Sequence, residues 1–342
     1  MQETTIYTLA KELNMSPSMV SRAFNPNGKI SEEKRKIVLQ AAKKYDFSPN
    51  KLASRLSMKT VRIGILINSK FSVNADKMIS GLENAYAKLK DYKITYDIEV
   101  MNSIENSPED YSKVLCKYRD YDGVLLTGMS SAKYTDIINE FYKINPNIVQ
   151  VQAINKNAGY LFASKHNEET ASCLAAEFLY NCLKWNKRRN IILITGDRES
   201  ALHSDAEFAF KNACKEFGLK VLDSIDMKDD ENYFAKIIPG LFSKYGNETD
   251  GIYVTSGFSA PLWKFMEENG INIPLVSFDT YEDIKTYMKK GIISATIAQN
   301  VEKQMENAFE MLVKHIITGE ECPEKIYTDI QLVLKSNMHQ FE

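Results

Sequence analysis

Residues 5–25 read TIYTLAKELNMSPSMVSRAFN. Ile6, Leu9, Ala10 and Leu13 recur at i, i+3, i+4 and i+7, the spacing that aligns one buried face of a helix. Asn14 and Met15 break the pattern. Ser16-Pro17 restarts it as N-cap and first helical residue, where proline forfeits no hydrogen bond. Val20, Ala23 and Phe24 supply the inner face of this second helix, which turns Pro17, Ser18, Ser21, Arg22 and Asn25 outwards. Residues 26–30, PNGKI, form a loop in which Gly28 can take a positive φ. A third helix follows, capped by Ser31. Glu32 and Glu33 sit at its positive end, and its apolar stripe is Ile37, Val38, Ala41, Ala42 and Tyr45.

Two short helices about a tight break, the second polar and arginine-bearing on its outer side, are what a helix-turn-helix needs to reach a major groove. In that reading Pro17, Ser18 and Arg22 face base edges. Arg22 is the strongest reader, because a guanidinium grips guanine through two hydrogen bonds. Ser21, Asn25, Lys29 and Asn50 are backbone or supporting contacts. The charge agrees. Residues 1–60 carry 11 basic and 5 acidic side chains, against 43 and 45 for the whole chain, so a polyanion partner is expected at one end.

The same run, followed by ISEEKRKIVLQAAKKYDFSPN and KLASRL, closely resembles the headpiece of the lactose-repressor (LacI/GalR-type) family of bacterial transcriptional regulators. The resemblance implies a headpiece at 1–48, a hinge helix and linker at 49–60, and a two-lobed effector-binding and dimerisation domain at 61–342. It adds Thr5, Ser16 and Ala53 to the DNA-facing set and makes Leu56 a wedge in the minor groove at the operator centre. Such a wedge unstacks a base step and kinks the duplex. The hinge stretch NKLASRLSM has a helical pattern but is shorter than the roughly 12–15 residues an isolated helix needs. It is therefore expected to order only beside its dimer mate on DNA. Ser57 departs from the basic residue many members carry there. The implied partners are a near-palindromic operator in double-stranded DNA, a second copy of the chain, and a small effector, a carbohydrate; no cofactor and no membrane are implied.

From Val61 the texture changes. VRIGILI is nearly all apolar, as a strand buried on both faces should be. Extended patterns at 61–67, 95–100, 123–127, 148–151, 190–195, 220–224, 251–255, 274–278 and 294–297 then alternate with helical ones, of which 204–217 and the long 300–317 matter below. Such alternation predicts an α/β fold with parallel sheets and helices on both faces. DGVLLT at 122–127 echoes DGIYVT at 250–255, as two similar lobes would. The resemblance implies the fold of periplasmic sugar-binding proteins, with crossings near 160–163, near 289–294 and in the tail. The N-lobe is then 61–161 plus 292–320, and the C-lobe 162–291 plus 321–342.

In open α/β sheets ligands sit beyond the carboxyl ends of the strands. That rule selects Asn68, Thr127-Gly128, Asp197, Arg198, Ser256, Asp279 and Gln299, with Phe71 or Trp263 available to stack on a hydroxyl-rich ligand. The family's ligand motifs retain Asp279 and Gln299. They place its ligand-gripping arginine at Ser204 and its Asn-Asp pair at Ser256-Gly257, both departures, with Arg198 a candidate replacement for the guanidinium.

The five cysteines and four histidines are dispersed, which argues against a disulfide framework or metal site and for a cytoplasmic chain. No apolar run reaches membrane-spanning length, and the N-terminus is polar. No Gly-x-Gly-x-x-Gly, phosphate loop or nucleophile elbow is present, which argues against an enzyme. A DNA-binding regulator is the leading reading. A sugar-binding protein without DNA-regulatory activity is the alternative, and the headpiece argues against it.

Overall fold

The structure, a computed structural model, describes residues 6–24, 28–45, 47, 59–102 and 105–341. The N-terminal helices are α1 (Ile6–Glu12), α2 (Pro17–Phe24) and α3 (Glu32–Lys44). Leu9, Ala10, Val20, Ala23, Val38 and Ala42 form their common core. Asn14 takes the left-handed conformation (φ 51°) that makes the break tight. The Ser16 hydroxyl accepts the Met19 N–H at 3.2 Å, and Ser31 caps α3 through Lys34 N–H at 3.5 Å. The Arg35 guanidinium donates to the carbonyls of Ala23 and Gly28, 3.1 and 3.0 Å away, and so ties α3 to the end of α2.

Two expectations are corrected here. Gly28 is not in a positive-φ conformation; it is needed for close approach, since a Cβ there would lie 2.1 Å from the Arg22 carbonyl oxygen. The stripe of α3 is narrower than read: Val38 and Ala42 are buried, but Ile37 and Tyr45 are 42 and 39 % exposed.

The rest of the chain builds two sheets. The first lobe runs β1 (Val61–Asn68), α4 (Ser72–Lys88), β2 (Ile94–Met101), α5 (Pro108–Lys117), β3 (Gly123–Thr127), α6 (Thr135–Tyr142), β4 (Ile148–Val151) and β5 (Phe162–His166). The second runs α7 (Glu168–Leu183), β6 (Asn190–Thr195), α8 (Ala201–Phe217), β7 (Lys220–Asp226), α9 (Glu231–Tyr245), β8 (Gly251–Val254), α10 (Ala260–Glu268), β9 (Leu275–Phe278), α11 (Glu282–Lys290) and β10 (Ala295–Ala298). Then α12 (Val301–Thr318) returns to the first lobe. β11 (Lys325–Thr328) joins the first sheet and β12 (Gln331–Val333) the second. The strand orders are β11-β5-β4-β3-β1-β2 and β12-β10-β9-β8-β6-β7. Every pairing is parallel except β10 with β12. Apolar cores cover both faces of each sheet, as parallel sheets require.

The DG echo is a true structural repeat. Asp122 accepts the Arg62 N–H at 2.9 Å at the start of β3, and Asp250 accepts the Asn190 N–H at 2.8 Å at the start of β8. Each carboxylate pins its strand to the first strand of its own lobe.

The lobe boundaries differ from those expected. Residues 162–166 are not a crossing into the C-lobe but strand β5, paired with β4 and β11. All five of its residues are buried, including Ser164, Lys165 and His166, so no polar–apolar alternation advertises it. Likewise β10 belongs to the second sheet, beside β9. The three crossings therefore follow β5, β10 and β11, several residues later than read.

Candidate functional site

Within each sheet the strand order reverses beside the lobe's first strand, between β1 and β3 and between β6 and β8. These reversals open a crevice at the carboxyl ends of the strands. The two crevices face one another across a cavity of about 130 Å³. Gly128, at the end of β3, has φ 64°, and a Cβ there would sit 2.0 Å from the Asn68 carbonyl oxygen, so only glycine lets β1 and β3 approach here.

Of the residues chosen from sequence, Asn68, Phe71, Asp197, Ser256, Asp279 and Gln299 line this cavity. Asn68 spends its side chain inside its own lobe: it donates to the Gly128 carbonyl at 2.6 Å and accepts from the Tyr111 hydroxyl at 2.8 Å. Asp279 follows β9 in a left-handed conformation (φ 68°). Its N–H donates to the Ile297 carbonyl at 2.8 Å, and its own carbonyl accepts from the Thr296 hydroxyl at 2.6 Å. Its carboxylate accepts from Gln299 Nε2 at 2.8 Å and from the Tyr281 side chain. Burial pushes this carboxyl above the usual carboxylate range, against the opposing pull of the Gln299 hydrogen bond and the Lys77 charge.

Gly128 lines the cavity but Thr127, buried at the end of β3, does not, and three further expected residues lie away from the cleft. Arg198 turns to the outside of the second lobe, where it donates to Glu207 at 2.7 Å and to the Ser224 carbonyl at 2.6 Å. It cannot replace the missing guanidinium from there. Ser204 is exposed and bonds only to the Ser200 carbonyl of its own helix. Trp263 is fully buried in the second lobe's core. The ring that meets Phe71 is Phe258, stacked on it with centroids 3.4 Å apart and planes inclined by 10°.

The unforeseen members are His203, Asp229, Lys70 and Gln152. Because α8 begins at Ala201, three residues earlier than read, His203 and not Ser204 faces the cavity. Its Nε2 lies 3.2 Å from Asp229 and its Nδ1 3.0 Å from the Thr255 hydroxyl. Asp229 also accepts from Ser256 Oγ at 3.0 Å and Asp197 N–H at 3.1 Å. Burial opposes charge on both partners, yet the pairing prevails: the imidazole rises above its ordinary value and the carboxyl falls well below its own. Lys70 crosses the mouth to Asp197, Nζ to Oδ2 at 3.0 Å, and also donates to the Lys228 carbonyl at 3.0 Å. Ser130 of the first lobe accepts the Ala201 N–H at 3.0 Å, so the start of α8 docks against the opposite lobe. The lobes are therefore closed.

In the headpiece, Pro17, Ser18, Ser21 and Arg22 line the exposed side of α2, and Ser16 and Lys29 are exposed beside it. Thr5, Asn25, Asn50, Ala53 and Leu56 lie outside the described residues. Among the described residues no helix is long and apolar enough to cross a membrane, and no cluster of three or more His, Cys, Asp or Glu could hold a metal ion.

Two family descriptions match the chain. Residues 5–50 match the lacI family of bacterial regulatory proteins, and residues 76–321 the periplasmic binding protein domain. The catabolite control protein A of Priestia megaterium is 25 % identical over 286 residues, 80 % of this chain and 82 % of that protein. A glucose-galactose binding protein from Geobacillus stearothermophilus superposes with a TM-score of 0.72 at 19 % identity, covering 82 % of this chain and 99 % of the other. A transporter solute-binding protein from Burkholderia graminis, solved with D-arabinose, superposes with a TM-score of 0.73 at 18 % identity, covering 82 and 98 %. With a lacI-type helix-turn-helix joined to a two-lobed periplasmic-binding domain, the chain belongs to the LacI/GalR-type family of bacterial transcriptional regulators.

Proposed function

We propose that the protein is a sequence-specific transcriptional repressor. A homodimer places two copies of α2 in successive major grooves of a near-palindromic operator, and Arg22 reads a guanine. A small hydroxyl-rich molecule, a sugar or sugar derivative, binds between the lobes and shifts operator affinity through its different affinity for the DNA-competent and incompetent states. The hinge residues Ala53 and Leu56 are assigned to the minor groove by family resemblance alone.

One observation carries the effector reading. The buried Asp279 carboxylate lines the cavity between the lobes and accepts two hydrogen bonds, from Gln299 Nε2 at 2.8 Å and from the Tyr281 side chain. An ionised carboxylate has acceptor sites to spare, and the hydroxyls of a sugar would fill them. A cavity of about 130 Å³ between two lobes suits a small molecule. The sugar-binding proteins of the same fold lend support to that class.

The test is selection of random duplexes by the purified chain at fixed salt, with and without pooled neutral monosaccharides. An inverted repeat whose recovery changes with sugar is the expected result. Enrichment of no sequence under either condition would refute the reading.

A further inference from the structure

Gln299 stands at the junction of all three segments that join the lobes. The first crossing leaves β5 at His166, the second contains Gln299 itself, and the third leaves β11 at Thr328. The Thr328 hydroxyl donates to the Gln299 carbonyl at 3.2 Å. The His166 ring hydrogen-bonds the Gln299 side chain. Gln304, on the first turn of α12, donates through Nε2 to the Gln299 carbonyl at 2.9 Å and to its side-chain oxygen at 3.3 Å. Gln299 in turn donates to Asp279 at 2.8 Å. All five side chains are at least nine-tenths buried.

We infer that Gln299 is the residue through which occupancy of the Asp279 carboxylate is transmitted to the inter-lobe hinge, with Gln304 as the positioning residue that holds it. The inference rests on the reading of Asp279 as an effector contact. A side-chain amide has two faces, and both are committed. The nitrogen serves the cleft carboxylate, and the oxygen accepts from Gln304. A ligand that draws Asp279 away from Gln299, or tightens their bond, must re-aim one amide on which the three crossings converge. Gln304 does not line the cavity and is wholly buried, so it can act on the cleft only through Gln299. Rotation of one lobe against the other bends all three crossings together. One hydrogen-bonded node shared among them makes the hinge two-state instead of continuously deformable.

The test needs no effector. Spin labels on the exposed Cys116 of the first lobe and Cys182 of the second report the inter-lobe distance in the full chain, with Cys173→Ser and Cys322→Ala to silence the half-exposed thiols. The parent should give one narrow population. Gln299→Ala and Gln304→Leu should each add a population at a shifted distance. The double variant should show no more of it than the worse single one, since both act through one node. Thr328→Val keeps the side-chain shape and removes one bond to the node, and it should give a smaller shift of the same kind with an unchanged melting midpoint.

Parent-like distributions for both Gln304→Leu and Thr328→Val would overturn the inference, as would additive effects of the two glutamine changes, which mark unrelated packing losses. Failure of the effector reading is separate: Asp279→Asn would then leave sugar titrations unaltered while the hinge measurement still stood.

Discussion

Lys70 Nζ and Asp197 Oδ2 lie 3.0 Å apart across the mouth of the cleft, one at the end of β1 and the other just beyond β6. Their side chains are only 21 and 27 % exposed, so the pair is partly shielded from solvent. With the Phe71–Phe258 stack beside it, the bridge joins the two lobes across the cleft mouth. A pair of this kind contributes about 1 kcal/mol, roughly a fivefold bias between closed and open lobes. Lys70→Asp should open the cleft, as small-angle scattering would detect. The swapped double variant Lys70→Asp/Asp197→Lys should close it again. In the parent, raising salt to about 1 M should mimic the single change weakly, since screening then acts within about 3 Å.

Arg22 is exposed on α2 and its carbonyl, not its side chain, abuts Gly28. Arg22→Ala should therefore leave the headpiece folded while the selected operator loses about 1–3 kcal/mol of binding, roughly five- to 150-fold, and non-specific DNA much less. Fluorescence anisotropy with operator and scrambled duplexes separates the two. Equal losses on both would reduce Arg22 to a phosphate contact. Leu56→Ala should reduce operator bending in a circular-permutation gel-shift assay.

His203 and Asp229 give the second lobe a pH dependence whose sign can be worked out. The imidazole is raised above its unfolded value, so its contribution is complete below about pH 6.5 and disappears as pH climbs through the folded value. The Asp229 carboxyl is depressed, so its contribution is present above about pH 4 and lost as pH falls towards its folded value. The pair is therefore most stabilising between about pH 4 and about pH 6.5. Urea titrations should show stability falling as pH rises above about 6.5 in the parent, with a flatter profile in His203→Gln. Coincident slopes would exclude the pair as their source.

How much of this was legible in the sequence depended on whether a residue's type betrayed its surroundings. The helix-turn-helix was legible because Leu9, Val20, Ala23 and Val38 are apolar and buried at helical spacing. The parallel sheets were legible in runs such as VRIGILI. β5 was not, because Ser164, Lys165 and His166 are polar yet buried; Lys165 survives there by pairing with Glu168 at 2.6 Å. His203 was hidden by helix phase. His203 and Ser204 are both polar, and only the start of α8 at Ala201 decides which one faces inward. Asp229 escaped because β7 was read as ending at 224, although it continues to Asp226 and places Asp229 at the cleft. Trp263, an alternative to Phe71 for stacking, lies on the inner face of α10, while Phe258 sits in the loop after β8 that meets Phe71.

Asp279 offers the most direct test of the cleft. Its backbone holds a left-handed conformation that asparagine tolerates as well as aspartate does, so Asp279→Asn keeps the turn and removes the charge. The amide oxygen can still accept from Gln299. What disappears is the charge-assisted part of a hydrogen bond to a ligand hydroxyl, about 1.5–3 kcal/mol, or roughly a ten- to 150-fold weaker sugar affinity. Burial already pushes the Asp279 carboxyl up, so protonation in mild acid should weaken binding in the parent in the same direction, while the asparagine variant should be insensitive over that range. Operator affinity without sugar should match the parent, because Asp279 lies in the cleft and not in the headpiece. Calorimetric titration of the sugar that shifts operator recovery, at neutral and mildly acidic pH, gives both comparisons. An asparagine variant that binds it as tightly as the parent at both pH values would remove Asp279 from the effector site.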